Sequence, residues 1–164
     1  MSLEAGQKAP SFDLKTLTGE NHSLADTLKK GPAVVVFFKT SCPTCQYTFP
    51  FLERLHKRFS GERVQVVGVS QDPPEDTAEF YQEYCLSFPM LIEDENFMVS
   101  SAYELHFVPS IFLIHQNGEI QISSEGFCKV DLLAIQDELS KVELPNSGPE
   151  IFFSGEAIPE YKPG

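Results

Sequence analysis

Ala33-Val34-Val35-Val36-Phe37-Phe38, then Lys39-Thr40-Ser41, then Cys42-Pro43-Thr44-Cys45 is the stretch that decides the fold. The first six residues form a continuous apolar run of strand length. Such a run reads as a strand buried on both faces, as in a parallel sheet. From Pro43 to Phe59 the pattern changes to that of a helix, with Phe49, Leu52, Leu55 and Phe59 at near-helical spacing. Pro50 lies inside it and is expected to kink it. Ser60-Gly61 is expected to end it.

The two cysteines therefore stand where a buried strand turns into a helix. Their spacing lets the thiols close a small ring. At a helix N-terminus, free N–H groups and the helix dipole favour a thiolate on Cys42, the nucleophilic form. Cys45, one turn further in, is expected to be less exposed. Cys42 then attacks a partner disulfide and Cys45 resolves the mixed disulfide. A zinc half-site is the plain alternative, but it needs two more ligands, usually as a second close pair. Cys85 and Cys128 are far apart in the chain, and His22, His56, His106 and His115 form no close pair. No metal and no cofactor are expected. His56 lies too far along the helix to act on Cys42, and His106 is the histidine nearest Pro109 in sequence. Packed or solvated histidines are the simple reading of all four.

Working outward, residues 1–30 read as a lead-in, with a turn at Thr18-Gly19-Glu20-Asn21 and a short helix from Ser23 to Lys30 stopped by Gly31-Pro32. Val64–Ser70 is a second buried strand. Asp72 is expected to cap the next helix, with Pro73 at its first position and Glu75 completing a capping box. That helix runs to about Cys85, with Ala78, Tyr81 and Tyr84 on one side. A short strand at Pro89–Ile92 and a short helix at Phe97–Tyr103 follow. Asn117-Gly118 predicts a two-residue hairpin loop between strands at Ser110–His115 and Glu119–Ser123. Val130–Ser140 closes the domain as a helix, with Leu132, Ile135 and Leu139 on one face. The order implies an α/β fold with a mixed sheet flanked by helices. Alternating crossovers place the helix ending at Cys85 opposite the one that follows Cys128, so these two cysteines are not expected to pair; they read as small hydrophobes.

The expected organisation is one domain over 1–142 and a Pro/Gly-rich tail over 143–164. Ile151-Phe152-Phe153 is expected to dock and the last residues to fray. The 164 residues suit one domain, and 41% hydrophobic with 22% charged is ordinary for a globular chain. Fourteen phenylalanines and no tryptophan leave the aromatic packing to Phe. The net charge of −12 repels phosphate backbones and anionic membranes, which excludes nucleic acid as a partner. No apolar run approaches the roughly 18 residues of a membrane span. Met1 to Gly6 is no signal peptide, and Met1-Ser2-Leu3 reads as a cloning scar. The chain reads as cytoplasmic, or as periplasmic or exported if a signal was removed. Asn21-His22-Ser23 matches a glycosylation sequon that matters only in a secretory setting.

Several pieces together resemble a known family: Gly6-Gln-Lys-Ala-Pro-Ser-Phe12, Phe37-Phe38 through Cys45, Pro50, Val67-Gly-Val-Ser70, Phe88-Pro89, Val108-Pro109-Ser110 and Asn117-Gly118. Over about residues 6–140 the chain is similar to thioredoxin-like proteins of the redoxin branch. That branch holds TlpA/ResA-type thiol-disulfide oxidoreductases and is related to AhpC/TSA peroxiredoxins. The resemblance implies a thioredoxin-like three-layer sandwich with an N-terminal extension and a redoxin-type insertion at about Pro89–Tyr103. It implies a monomer that exchanges disulfides with protein substrates and with an upstream redox partner. Cys42 and Cys45 would be catalytic, and Val108, Pro109, Pro43 and Thr44 would bind the substrate chain. It also implies a cis peptide bond before Pro109, lying against the cysteine pair.

The sequence departs from the family in three places. Ser41 stands where Trp is usual, Val36 where thioredoxin has a buried Asp, and Pro73 where a Glu often follows the Asp that ends the second strand. These departures leave Cys45 without an evident proton acceptor. Two other readings stay open. A peroxiredoxin-like peroxidase would need Pro-x-x-x-Thr-x-x-Cys, but counting back gives Lys39 and Val35 from Cys42, and Cys42 and Phe38 from Cys45. A non-catalytic binding or redox-sensing domain would use the acidic surface with Phe152, Phe153 and Tyr161.

Overall fold

The computed structural model describes residues 2–59, 61–146 and 150–164. Met1 and the expected helix stop at Ser60 lie outside the described residues. The chain runs β1 (Asp13–Thr16), β2 (Asn21–Ser23), α1 (Leu24–Lys30), β3 (Ala33–Phe38), α2 (Pro43–Arg58), β4 (Gln65–Ser70) and α3 (Pro74–Glu83). It continues through β5 (Met90–Ile92), α4 (Met98–Ala102), β6 (Ser110–Ile114), β7 (Ile120–Glu125), β8 (Phe127–Cys128), α5 (Lys129–Ser140) and β9 (Tyr161–Lys162). The main sheet has the order β2-β1-β5-β4-β3-β6-β7, with β3, β4 and β5 parallel and the other pairings antiparallel.

All six residues of β3 are fully buried because helices cover both faces of the sheet. Val34, Val36 and Phe38 face a cluster supplied by α2, α3 and α5, including Phe49, Leu52, Leu55, Phe80, Leu132 and Ile135. Ala33, Val35 and Phe37 face the other side, with Leu24 and Leu28 of α1, Val99 of α4, and Tyr103. α3 and α5 thus share one face, contrary to the expected alternation. The sheet order gives the reason. β3, β4 and β5 follow one another in one direction, so crossovers of a single hand keep α2 and α3 on the same side. Only on the return from β5 to β6 does α4 take the opposite face.

α1 starts at Ser23, whose hydroxyl accepts from the Asp26 N–H at 3.0 Å. It ends at Gly31, where a Cβ would stand 1.7 Å from the Arg63 carbonyl oxygen, so no other residue fits that close approach. α2 runs unbroken through Pro50.

Three local expectations are corrected. The N-cap of α3 is Pro73, without a side-chain cap bond, and Pro74 takes the first turn. The Asp72 carboxylate instead accepts from Thr40 N–H at 2.6 Å. Phe38 and Ser70 are register partners in a parallel pair, so the residues two further on lie side by side and the carboxylate finds that N–H first. The buried side of α3 is led by Thr77 and Phe80, with Tyr81 and Tyr84 only half-buried, and the helix ends at Glu83. The turn between β6 and β7 holds three residues, Gln116 to Gly118, inside the paired His115 and Glu119, rather than two. Gly118 N–H bonds to His115 C=O, His115 N–H bonds to Glu119 C=O, and Gly118 alone has a positive φ, +92°. This is a turn closed by a glycine bulge; a separate irregularity deeper in the ladder, where Ile114 pairs with Ile120 but Leu113 with Ile122, leaves Gln121 as the extra residue.

Candidate active site

β3 delivers the chain into the short loop Lys39–Ser41, and α2 starts from it. Cys42 is the N-cap. Its Sγ accepts from the Cys45 N–H at 3.1 Å, and its carbonyl accepts from Gln46 N–H at 3.0 Å. A sulfur thus takes the place of the usual Ser, Thr or Asp oxygen at the first orphan N–H groups. Pro43 opens the helix, where its missing N–H costs nothing. The loop is held from two sides: Asp72 takes Thr40 N–H, and the Gln46 side-chain amide donates to Thr40 C=O at 2.9 Å.

The Val108–Pro109 peptide is cis. The Cys42 thiol donates to the Val108 carbonyl at 3.4 Å, which puts the cysteine between the helix start and this loop. Pro109 is buried, its carbonyl accepts from Gly126 N–H at 2.8 Å, and Ser110 Oγ donates to Phe107 C=O at 2.7 Å. A shallow pocket of about 200 Å³ lies beside the loop, lined by Lys39, Gln71 and Leu105–Val108.

The two cysteines differ in their surroundings. Cys42 is half-buried and Cys45 is fully buried. Burial pushes the Cys45 thiol well above its ordinary range; the hydrogen bond with Cys42 and the negative charge of Asp72 push the same way. All four cysteines are free; Cys85 is exposed and Cys128 half-buried. His106 lines the pocket next to Val108, His56 packs against Phe88, and His22 bonds to Thr27 at 2.7 Å. Among the described residues, no group of three or more His, Cys, Asp or Glu is placed to hold a metal ion. No described helix is long and apolar enough to cross a membrane.

Two features escaped sequence reasoning. One is the tie from Asp72 to the cysteine loop. The other is the end of the C-terminal segment: Ile151 and Phe152 dock as expected, the first buried and the second half-buried, but the last residues depart from expectation. Tyr161–Lys162 does not fray but pairs with β8, and Thr44 Oγ1 donates to the Pro163 carbonyl at 2.5 Å. The available signal was on α2, where Tyr47 and Phe51 stand off the Phe49–Leu52–Leu55 stripe and need cover of their own.

Residues 5–123 match the model of the AhpC/TSA family. The chain is 35% identical over 117 residues to the thiol-disulfide oxidoreductase ResA of Halalkalibacterium halodurans, covering 71% of this chain and 65% of that one. It thus spans just under two thirds of that relative. It is 31% identical over 133 residues to ResA of Geobacillus kaustophilus, covering 80% and 75%. The thioredoxin domain of a thiol-disulfide oxidoreductase from Bacteroides vulgatus superposes with a TM-score of 0.76 at 24% identity, covering 84% of this chain and 99% of that one. The sandwich is therefore thioredoxin-like, with a mixed seven-stranded sheet.

Proposed function

This chain belongs to the AhpC/TSA family, in the redoxin branch of the thioredoxin-like superfamily, and we propose that it is a thiol-disulfide oxidoreductase acting on protein substrates through Cys42-Pro43-Thr44-Cys45. The observation that carries this reading is the asymmetry of the pair. A half-buried sulfur at the N-cap of α2 sits one turn from a fully buried thiol whose N–H it already holds.

In the forward step Cys42 Sγ, as thiolate, attacks one sulfur of a substrate disulfide. A Cys42–substrate bond forms, and the other substrate sulfur leaves as thiolate and takes up a proton. Cys45 then loses its proton and attacks Cys42 Sγ. The products are a Cys42–Cys45 disulfide and a substrate dithiol, two electrons having passed to the substrate. An upstream dithiol partner resets the pair by the reverse exchange. Pro43, Thr44, Val108 and Pro109 form the surface on which the substrate chain lies. Residues 1–142 form the redox domain and residues 143–164 its C-terminal tail. Because burial raises the Cys45 thiol, resolution is the step that speeds up as pH rises.

Single substitutions separate the two roles. Cys42→Ser abolishes capture of substrate disulfides. Cys45→Ser leaves capture intact and blocks resolution, so partners accumulate covalently on Cys42 and appear as adducts on non-reducing gels. Adducts with Cys42→Ser and none with Cys45→Ser would reverse the assignment. Adducts with neither would favour a binding domain.

A further inference from the structure

α2 carries a second stripe besides the one that faces the core: Thr44, Tyr47, Phe51, Arg54 and Arg58, spaced by three or four residues. The C-terminal segment covers this stripe along its length. Asn146 reaches the end of the helix, its amide donating to Lys57 C=O at 2.8 Å. The Glu150 carboxylate lies 3.5 Å from Arg58. Ile151 is buried, and Phe152 packs on Phe51 with ring centroids 5.1 Å apart. Arg54 holds Glu156 by two bonds and donates to Ile151 C=O. Lys162 Nζ lies 5.0 Å from the centre of the Tyr47 ring, and Thr44 takes Pro163. The segment thus runs back along α2 and arrives at the first turn, where the cysteines are.

Its last residues lie on the surface the redox reading needs free. A Cβ on Gly164 would be 2.4 Å from the Val108 carbonyl oxygen, the atom that accepts from Cys42. At Gly126, whose φ is +72°, a Cβ would be 2.4 Å from the Lys162 carbonyl oxygen, so the two backbones pass with no room for a side chain. β9 adds to β8 as an extended strand, the same kind of backbone pairing by which a bound peptide adds to a sheet edge. The pairing is only two residues long, and Tyr161, Pro163 and Gly164 are exposed. A segment held so lightly opens at little cost.

We propose that residues 161–164 occupy the surface on which a protein substrate meets Cys42, so that the chain's own C-terminal segment competes with substrate for the site. The proposal rests on the redox reading above. Substrate meets only the fraction of molecules whose strap is open, which lowers apparent affinity by that fraction.

The test compares the full chain with one ending at Glu160, using insulin as the protein disulfide and dithiobis(nitrobenzoate) as a small one. Removing the strap raises kcat/KM for insulin by about three-fold or more, chiefly through KM, and changes the small disulfide's rate less. In the Cys45→Ser chain, forming a mixed disulfide between Cys42 and insulin speeds amide exchange at Tyr161 and Lys162. An insulin rate that is unchanged or lower, with the small-disulfide reaction and the melting curve intact, overturns the proposal and leaves the redox reading standing. Unaltered exchange at Tyr161 and Lys162 also overturns it. If neither chain reacts with either disulfide through Cys42, the redox reading itself has failed and the proposal falls with it.

Discussion

α2 and the segment 150–164 meet along one stripe of side chains but are held there by different physics. α2 is fixed by burial: Cys45, Phe49, Leu52 and Leu55 have no exposed surface and pack beneath β3. The C-terminal segment is fixed by one buried residue, Ile151, by half-buried Phe152 and Ile158, and by separate polar contacts with Arg54, the Lys129 N–H, β8 and Thr44. Burial is cooperative and close to all-or-none, whereas separate bonds on a surface open one at a time. The cysteine pair is therefore presented by a rigid element and approached by a loose one.

The largest expected effect tests the rigid side. Phe49 packs against Phe38, Phe80 and Phe88, with ring centroids at 4.4, 5.0 and 6.0 Å. Phe49→Ala removes the shared ring from that group and leaves a cavity. The loss is about 3–5 kcal/mol, a large share of the roughly 5–15 kcal/mol that holds a domain folded. Urea unfolding measures it. A cost under about 1 kcal/mol would mean the cluster collapses freely around the gap, and the contrast with the C-terminal segment would be lost.

A smaller and more local effect tests the loose side. Arg54 stacks 3.7 Å from the Phe153 ring centre as well as binding Glu156, whose carboxyl it holds below its usual range. Arg54→Ala therefore releases the segment near its middle. Amide exchange over 151–156 quickens while the global unfolding midpoint moves much less than for Phe49→Ala. A midpoint shift as large as that of Phe49→Ala would show that the segment is part of the cooperative core.

The same contrast explains what was legible in the sequence. β3 could be read because six apolar residues in a row have one stable place, the middle of a covered sheet. α2 could be read because Phe49, Leu52, Leu55 and Phe59 recur at helical period. Cys42 and Cys45 followed from the junction of the two. Asp72 was misread as a helix cap, because its partner Thr40 is 32 residues away and becomes a neighbour only through the parallel register of β3 and β4. The face of α3 was misjudged because alternation was assumed before the strand order was known. β9 leaves no period to detect: two residues pair through backbone atoms, which every sequence possesses. Tyr47 and Phe51, apolar on the outer side of α2, and the apolar Ile151-Phe152 in the tail were the traces of this cover.

The smallest effect concerns Cys45 and depends on pH. In the unfolded chain its thiol titrates near the ordinary value of 9.0, while in the folded protein burial, then the Cys42 hydrogen bond, raise it well above that. A group raised on folding contributes stability that is complete below its unfolded value and is lost as pH climbs toward the folded one. Between pH 7 and 8 Cys45 therefore changes nothing. Above about pH 9 the unfolded state sheds a proton that the folded state keeps, and stability falls by up to about 1.4 kcal/mol per pH unit. Cys128 is also raised by burial, and Tyr103 joins from pH 10 upward. The informative quantity is therefore the difference between the reduced protein and Cys45→Ser from pH 8.5 to 9.5. The reduced protein should lose stability faster over that range. Oxidising the pair should abolish the difference, since a Cys42–Cys45 disulfide has no thiol to titrate. Parallel curves for the reduced protein and Cys45→Ser would mean that water reaches Cys45 as readily as it reaches the C-terminal segment, and the rigid end of the comparison would give way at its centre.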